Sequence, residues 1–212
     1  MALSPEEARR AVWIDFEGNG PAVQGEPSPP PTLLGIRIDK HDAFWIVEEL
    51  FSTCAHHPGS PAGVCDLREL ADQLITRCES EDRLIVSWST HDLKLLMRVL
   101  DEQGRERLQS IYRDGKKTAR RWNTLHQVGI EGGHTLEKYM EKLGWQVPAE
   151  IGPGTVGPAL TALRSLLERG AQWGDLGLGN RNKWRGIIKH NRHDLKGMQR
   201  VVTEAARRTE NV

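Results

Sequence analysis

Two carboxylates stand close together at the end of a short apolar run. Asp15 lies near the end of AVWIDF, Ala11 to Phe16, and Glu17 directly follows this run, whose length and β-branched residues predict a buried strand. Side chains at positions i and i+2 of a strand point to the same face, so the two carboxylates share one side. Burying both is costly unless cations or hydrogen bonds neutralise them, and a hard divalent cation would do so. The alternative is that both face solvent where the strand meets its loop.

A third carboxylate lies where a predicted strand gives way to a predicted helix. Asp92 occurs in SWSTHDLKLL, just after the apolar segment Arg83 to Trp88. Strand ends are where open sheets present their ligand sites, which makes Asp92 a candidate site residue. The alternative is that Asp92 is the N-cap of the helix, with Ser89 or Thr90 as competing caps.

The segment HNRHD places a histidine and a fourth carboxylate on one helical face. His190 and Asp194 are four residues apart, in line with Ile187 and Met198 along the same stripe. An apolar stripe interrupted by His and Asp favours a functional pair. A surface His-Asp pair on an amphipathic helix is the alternative.

Taken together, these segments resemble the RNase H-like superfamily of DEDD exonucleases. Its first motif is a strand ending in Asp-x-Glu, which WIDFEGNG resembles, and TLLGIRI resembles the strand that follows. SWSTHDLKLL is similar to the second motif, an Asp just after a strand and at a helix start. IIKHNRHDLKGM is similar to the third, a helical Asp preceded by Tyr or His. HTLEKYMEKLGW also resembles the ribonuclease H-like branch of predicted exonucleases, and the resemblance spans roughly residues 11 to 205.

The resemblance implies a two-metal nuclease. Asp15, Glu17, Asp92 and Asp194 would hold two Mg²⁺ or Mn²⁺ ions, and His190 would accept or orient the proton of the attacking water. It implies phosphodiester hydrolysis, with trimming of single-stranded 3′ ends of DNA or RNA. The chain departs from the family at two points: His190 sits at the spacing of the tyrosine branch, and the second motif has His91 in place of an aromatic residue and lacks its usual Asn.

Local clusters of basic residues favour a polyanionic substrate. Overall charge does not, because 29 Lys and Arg balance 29 Asp and Glu. The first cluster is RDGKKTARR and the second runs from Arg181 to Arg200. Trp122 and Trp184 accompany them and could stack on bases or on Arg. A solvated helical face is the alternative. The predicted nucleic-acid contacts are Lys116, Lys117, Arg120, Arg121, Lys183, Arg185 and Lys189.

Cysteine content and hydropathy indicate the cellular setting. Three cysteines form a sparse, odd set, which predicts a reducing cytoplasm rather than a disulfide framework. No apolar run approaches the roughly 20 residues of a membrane-spanning helix. Cys54, His56 or His57, Cys65 and Cys78 offer N and S ligands, but their spacing is irregular and Cys78 suits an apolar helix position. We therefore do not predict a structural zinc.

The order of predicted elements is β-β-β-α-β-α, typical of an α/β fold with a mixed sheet flanked by helices. We expect an N-terminal segment at 1–10, a single RNase H-like domain over 11–208, an antiparallel meander of the first three strands and a fourth strand parallel to one of them. The stretch GNGPAVQGEPSPPP predicts an exposed loop.

Two other functions stay open: a catalytically inactive module that binds nucleic acid or a protein, and a phosphatase or nucleotide hydrolase using the same carboxylates.

Overall fold

A computed structural model describes residues 2–18, 30–152 and 154–210 of the chain. Most of the predicted Gly/Pro-rich loop therefore lies outside the described residues. Within them, one sheet has six strands. They are β1 (Ala11–Gly18), β2 (Pro31–Ile38), β3 (His41–Ile46), β4 (Gly63–Val64), β5 (Leu84–Ser87) and β6 (Tyr112–Asp114).

The strands lie in the order β4-β3-β2-β1-β5-β6. β1 pairs antiparallel with β2, and β2 with β3, which confirms the predicted meander. β5 runs parallel to β1, as expected for a strand reached through a helix, and β6 runs parallel to β5. The sequence did not predict β4 or β6, which have two and three residues. The run FWIVEEL predicts a third strand over Phe44 to Leu50, but β3 begins three residues earlier and ends at Ile46, because Glu49–Cys54 forms a 3-10 helix.

Eight α-helices accompany the sheet in the described residues. They are α1 (Pro5–Arg9), α2 (Leu67–Ser80), α3 (Thr90–Val99), α4 (Glu102–Ile111), α5 (Gly115–His126), α6 (Leu136–Lys142), α7 (Val156–Leu167) and α8 (Leu178–Thr209). The run DLKLLMRVLDEQ from Asp92 predicts one continuous helix, but Leu100 is extended and Asp101 caps a new helix by accepting from Gly104 N–H. The sequence predicts the last helix from Trp184 to about Arg208, whereas α8 already begins at Leu178.

The sheet separates two apolar cores. Trp13 of β1 and Leu33 of β2 face the core that α8 fills, whereas Val12 and Ile14 face the core built with α2. Since side chains alternate along β1, Asp15 and Glu17 lie on the same face as Trp13, against α8. The molecule is thus a single compact α/β domain with a mixed sheet flanked by helices. In the described parts of the chain, no helix has both the length and the apolar character needed to span a membrane.

Candidate active site

Asp15 and Glu17 lie at the carboxyl end of β1 and contact the middle of α8. Glu17 is only 8% exposed, and Asp15 is partly buried. The Asn191 amide of α8 donates to the Asp15 carbonyl at 3.0 Å, to Asp15 Oδ2 at 2.8 Å and to Glu17 Oε1 at 3.5 Å. The alternative of two solvent-facing carboxylates is therefore wrong.

Asp92 is buried at the start of α3. Ser89 is the N-cap, since its hydroxyl accepts from His91 N–H, and Asp92 is the third helical residue. The alternative that Asp92 is the N-cap is therefore wrong, and the competing cap Ser89 takes that place, while Asp92 is only 6% exposed. Burial raises the pKa of Asp92 to about 6, and hydrogen bonding to Ser87 limits the rise.

His190 is held in one orientation by a backbone carbonyl. Its Nδ1 lies 2.6 Å from the Ile151 carbonyl oxygen, which can only accept, so Nδ1 carries a proton. Nε2 then faces the acids, 3.4 Å from Asp194 Oδ2 and 3.9 Å from Glu17 Oε1. His190 and Asp194 therefore form the predicted pair, and the pair is turned into the fold. This contradicts the alternative of a surface pair.

The four carboxylates share one electrostatic environment. Burial, followed by the charges of Glu17, Asp194 and Asp92, raises the pKa of Asp15 well above its ordinary value. Burial also raises the pKa of Glu17 to about 8, although His190 and Asn191 oppose the rise. Burial is also the main cause that raises the pKa of Asp194 to about 6. The charges of Asp92 and Asp194 thus both act on Asp15 and Glu17, which indicates that the start of α3 and the middle of α8 lie near the end of β1.

Burial alone would lower the pKa of His190. Glu17 and Asp194 outweigh burial, and with the Ile151 carbonyl they raise the His190 pKa above its ordinary value. A protonated His190 therefore neutralises part of the acidic charge. Glu137, in the first turn of α6, also acts on His190 and Asp194 and is partly buried.

Sequence reasoning missed three residues of the site: Glu137, Asn191 and Gly35. Gly35 pairs with Asp15 across β1 and β2. A Cβ on Gly35 would lie 1.7 Å from Asn191 Oδ1 and 2.9 Å from a Leu195 methyl, so glycine is what lets α8 approach the sheet here. The only signal in the sequence was an isolated glycine within a strand pattern, which suggests a close approach without naming the partner.

The donor set suits a hard cation, although a finished metal site is not formed. Among the described residues, no three His, Cys, Asp or Glu side chains are grouped so as to hold an ion. The Asn191 amide and the His190 ring lie between the carboxylates and supply the positive partners there. Asn191 Oδ1 is buried without a hydrogen-bond partner. Turning the amide over would direct this oxygen, a ligand that hard cations accept, toward Asp15 and Glu17.

The first basic cluster forms the exposed side of α5. Lys117, Arg120 and Arg121 are exposed, Lys116 is partly exposed, and no ion pair to these four is present among the described residues. The pKa of His134 falls, first through burial and then through Arg120, Lys116 and Lys138, which shows that these cations lie close together. The Trp88 indole, just after β5, donates to the His134 carbonyl oxygen. This cationic surface therefore adjoins the end of β5 that leads to Asp92.

The second cluster is less uniform. Lys183 and Lys189 are exposed on the first half of α8. Arg185 instead donates to the Pro58 carbonyl at 3.1 Å and to Asn182, which ties α8 to the loop before β4. Arg185 thus has a structural role that the charge pattern did not predict.

The two tryptophans predicted to stack on bases are core residues. Trp122 is 2% exposed, and the Arg208 guanidinium lies over its ring. Bases and arginine were the two predicted stacking partners, and Trp122 contacts an arginine. Trp184 is fully buried, stacks on Phe51 and donates to the Ser60 hydroxyl at 2.6 Å. Neither indole can reach a nucleic acid base.

Two of the cysteines weighed as zinc ligands lie on opposite faces of the sheet. All three cysteines are free, and Cys54 and Cys78 lie in the two different cores. His57 stacks on Trp173, with ring centroids 4.6 Å apart, and its Nε2 contacts the Thr53 carbonyl.

Comparisons with protein-family models, with curated proteins and with solved structures find no match to this chain.

Proposed function

We propose that this protein is a divalent-metal-dependent nuclease that hydrolyses phosphodiester bonds and trims 3′ ends, in the manner of RNase H-like DEDD exonucleases. One observation carries the proposal: Asp15 and Glu17 of β1 and Asp194 of α8 lie around the His190 and Asn191 side chains, and the buried Asp92 of α3 is near enough for its charge to act on Asp15 and Glu17. Buried like charges oppose folding, so their convergence calls for a functional explanation. The strand order, with an antiparallel meander joined to two parallel strands, supports the RNase H-like assignment.

Asp15, Glu17, Asp92 and Asp194 would hold the cations, Mg²⁺ or Mn²⁺. Bound there, such ions supply Lewis-acid activation of water and neutralise charge on the phosphate. Carboxylate oxygens are the donors these ions prefer, and a bound cation would favour the charged form that burial disfavours in these four acids.

His190 is the residue placed to move a proton. The Ile151 carbonyl fixes Nδ1 as the protonated nitrogen, so Nε2 is the atom that gains or loses a proton. Nε2 faces the carboxylates, where the attacking water would be bound. A neutral His190 would take the proton of that water, and Asp194 and Glu17 would stabilise the resulting imidazolium.

The test is cleavage of single-stranded DNA and RNA labelled so that shortening from the 3′ end is visible, with Mg²⁺ or Mn²⁺. Asp15→Asn and Asp194→Asn should each lower the rate by more than about 100-fold, because each removes a charge that holds the cations. Asp72→Asn, on the exposed side of α2, is the matched control and should keep wild-type activity. Wild-type cleavage by Asp194→Asn protein would refute the assignment.

A catalytically inactive binding module is the second candidate, and a specific observation favours it. Asn191 and His190 already contact the carboxylates and satisfy part of their charge without a metal. Under this alternative the protein binds oligonucleotides but leaves them intact at every Mg²⁺ and Mn²⁺ concentration. The same cleavage assay, run beside a binding assay, separates the two functions.

A further inference from the structure

A basic groove of about 930 Å³ runs along the second half of α8, against the end of α6. We call it the α8 groove. It is lined by five cations and a single acid, together with Trp145 and neutral side chains. The charged lining residues are Arg37, Lys142, Lys196, Arg200, Arg208 and Glu204.

Some of this charge is neutralised internally. Arg207 and Arg208 hydrogen-bond Glu204 and lower its pKa to about 2, so the one acid of the groove is fully paired. Arg37 is paired with Asp42 of β3. Lys142, Lys196 and Arg200 have no acidic partner among the residues that the structure describes. The groove therefore carries a net positive charge that only an external anion would neutralise.

The Trp145 ring contacts both a cation of the groove and the residue that precedes Asp194. The Arg200 guanidinium lies 5.1 Å from the centre of the Trp145 ring, and the indole stays partly exposed. The opposite neighbour of Trp145 is His193, edge-on with ring centroids 5.5 Å apart. His193 directly precedes Asp194, so the groove and the acidic site are neighbours along α8.

The groove has the length of several nucleotides rather than one. The residues of α8 that line the groove extend from Lys196 to Arg208, which lie 12 residues apart on one continuous helix. At a rise of 1.5 Å per residue this is about 18 Å. Cations and a partly exposed indole spaced along such a distance suit a flexible, repeating anion with aromatic groups.

We propose that the α8 groove binds the sugar-phosphate backbone of a single-stranded nucleic acid whose end reaches the acidic site. Lys142, Lys196 and Arg200 contact phosphates, and Trp145 offers a stacking surface to a base. This inference rests on the proposed function for its choice of a phosphodiester polymer. It deepens that function by making the substrate a polymer instead of a mononucleotide. An acidic polypeptide would match the cations but would leave the indole without a stacking partner.

The experiment measures binding without catalysis. Fluorescence anisotropy in EDTA follows a labelled 12-nucleotide single strand and a labelled dinucleotide. The double variant Lys142→Ala/Arg200→Ala should weaken binding of the 12-mer on the order of tenfold and leave the dinucleotide nearly unaffected. In a plot of log affinity against log salt concentration, each cation that neutralises a phosphate of a single strand contributes about 0.7 to the slope. Because the double variant removes two cations, its slope should be shallower by about 1.4.

Arg98→Ala is the matched control, since Arg98 is an exposed cation on α3, across the sheet from α8. It should bind like the wild type. Trp145→Ala should weaken 12-mer binding at every salt concentration without changing the slope, which a purely electrostatic groove would not do. Unchanged 12-mer affinity in the Lys142/Arg200 variant overturns the proposal, as does equal competition by an acidic polypeptide of similar length. Since EDTA prevents cleavage in every arm, failure here leaves the cleavage test of the nuclease independent.

Discussion

Burial is the dominant influence on each acid of the site. It is the first cause of the raised pKa of Asp15, Glu17, Asp92 and Asp194, ahead of every neighbouring charge. His190 and Asn191 oppose the rise at Glu17 but do not cancel it. Without a cation, the site is therefore most stable when several of these groups carry a proton.

We predict that the metal-free protein loses stability as the pH rises from about 5 to 8. An acid with a raised pKa keeps its proton in the folded state at a pH where the unfolded chain has lost it, so the folded state binds more protons and ΔG of unfolding falls with pH. His190, whose pKa is also raised, acts in the same direction. Urea unfolding in EDTA at a series of pH values should show a decrease on the order of 2 kcal/mol.

Asp15→Asn tests the origin of this effect. The amide cannot ionise, so the variant should be more stable than the wild type at pH 8 in EDTA and should show a flatter pH dependence. Asp72→Asn should follow the wild-type curve, because Asp72 is exposed. Identical pH profiles for wild type and Asp15→Asn would contradict the electrostatic account of the site.

At the scale of elements, the approach of α8 to β2 positions the site. Asn191 occupies the space that a side chain at Gly35 would need, and its amide joins α8 to the Asp15 backbone. α8 and β2 therefore fit closely together at the contact between Asn191 and Gly35. A change on either side should move Asp194 relative to Asp15.

We predict strong coupling between Gly35 and Asn191 in a double-mutant cycle. Gly35→Ala places a methyl group against Asn191 Oδ1 and should cost about 1–3 kcal/mol through overpacking. Asn191→Ala leaves buried acceptors without their donor and should cost a similar amount, about 1–3 kcal/mol. In the double variant the clash with Asn191 is gone. Its destabilisation should therefore be smaller, by about 1 kcal/mol or more, than the sum of the destabilisations of the two single variants.

The control for this cycle is Gly186→Ala, on the same helix. A Cβ there meets nothing within 4 Å, and alanine favours helix over glycine, so the variant should gain up to about 1 kcal/mol. Denaturant unfolding at one pH measures every variant beside the wild type. Additive destabilisation by Gly35→Ala and Asn191→Ala would show that the two residues do not share the contact.

The elements that the sequence predicted well are those with strong local signals. Asp66 caps the start of α2, and the apolar residues of α2 form a clear stripe along one face. β1 is an apolar run bounded by polar residues. The sequence also indicated Asp15, Glu17, Asp92, His190 and Asp194, which the structure gathers in one place. It could not indicate Asn191 or Glu137, because their part in the site depends on which segments meet in space. Trp122 and Trp184 were misjudged for the same reason: charged neighbours in sequence do not keep an indole exposed.

At the scale of the whole molecule, charge is balanced in number but separated in space. The acids meet at the end of β1, while cations without an acidic partner in the described residues lie along α5 and in the α8 groove. Because the four carboxylates come from β1, α3 and α8, the unfolded chain cannot present them together. Any ligand of this acidic site therefore binds the folded state and stabilises the entire domain.

We predict that Mn²⁺ or Mg²⁺ raises the melting temperature, and more so at pH 8 than at pH 5.5, since protons compete with the cation for carboxylates of raised pKa. At 100 times the dissociation constant, mass action adds about 2.7 kcal/mol, which for a domain of this size corresponds to a shift of about 5–10 °C. Differential scanning calorimetry with added cation or EDTA measures the shift. Asp15→Asn/Asp194→Asn protein, which still folds around the remaining acids, should lose most of the response to metal. An equal response in that variant would place the cation elsewhere in the molecule and remove the basis for a metal-dependent enzyme at this site.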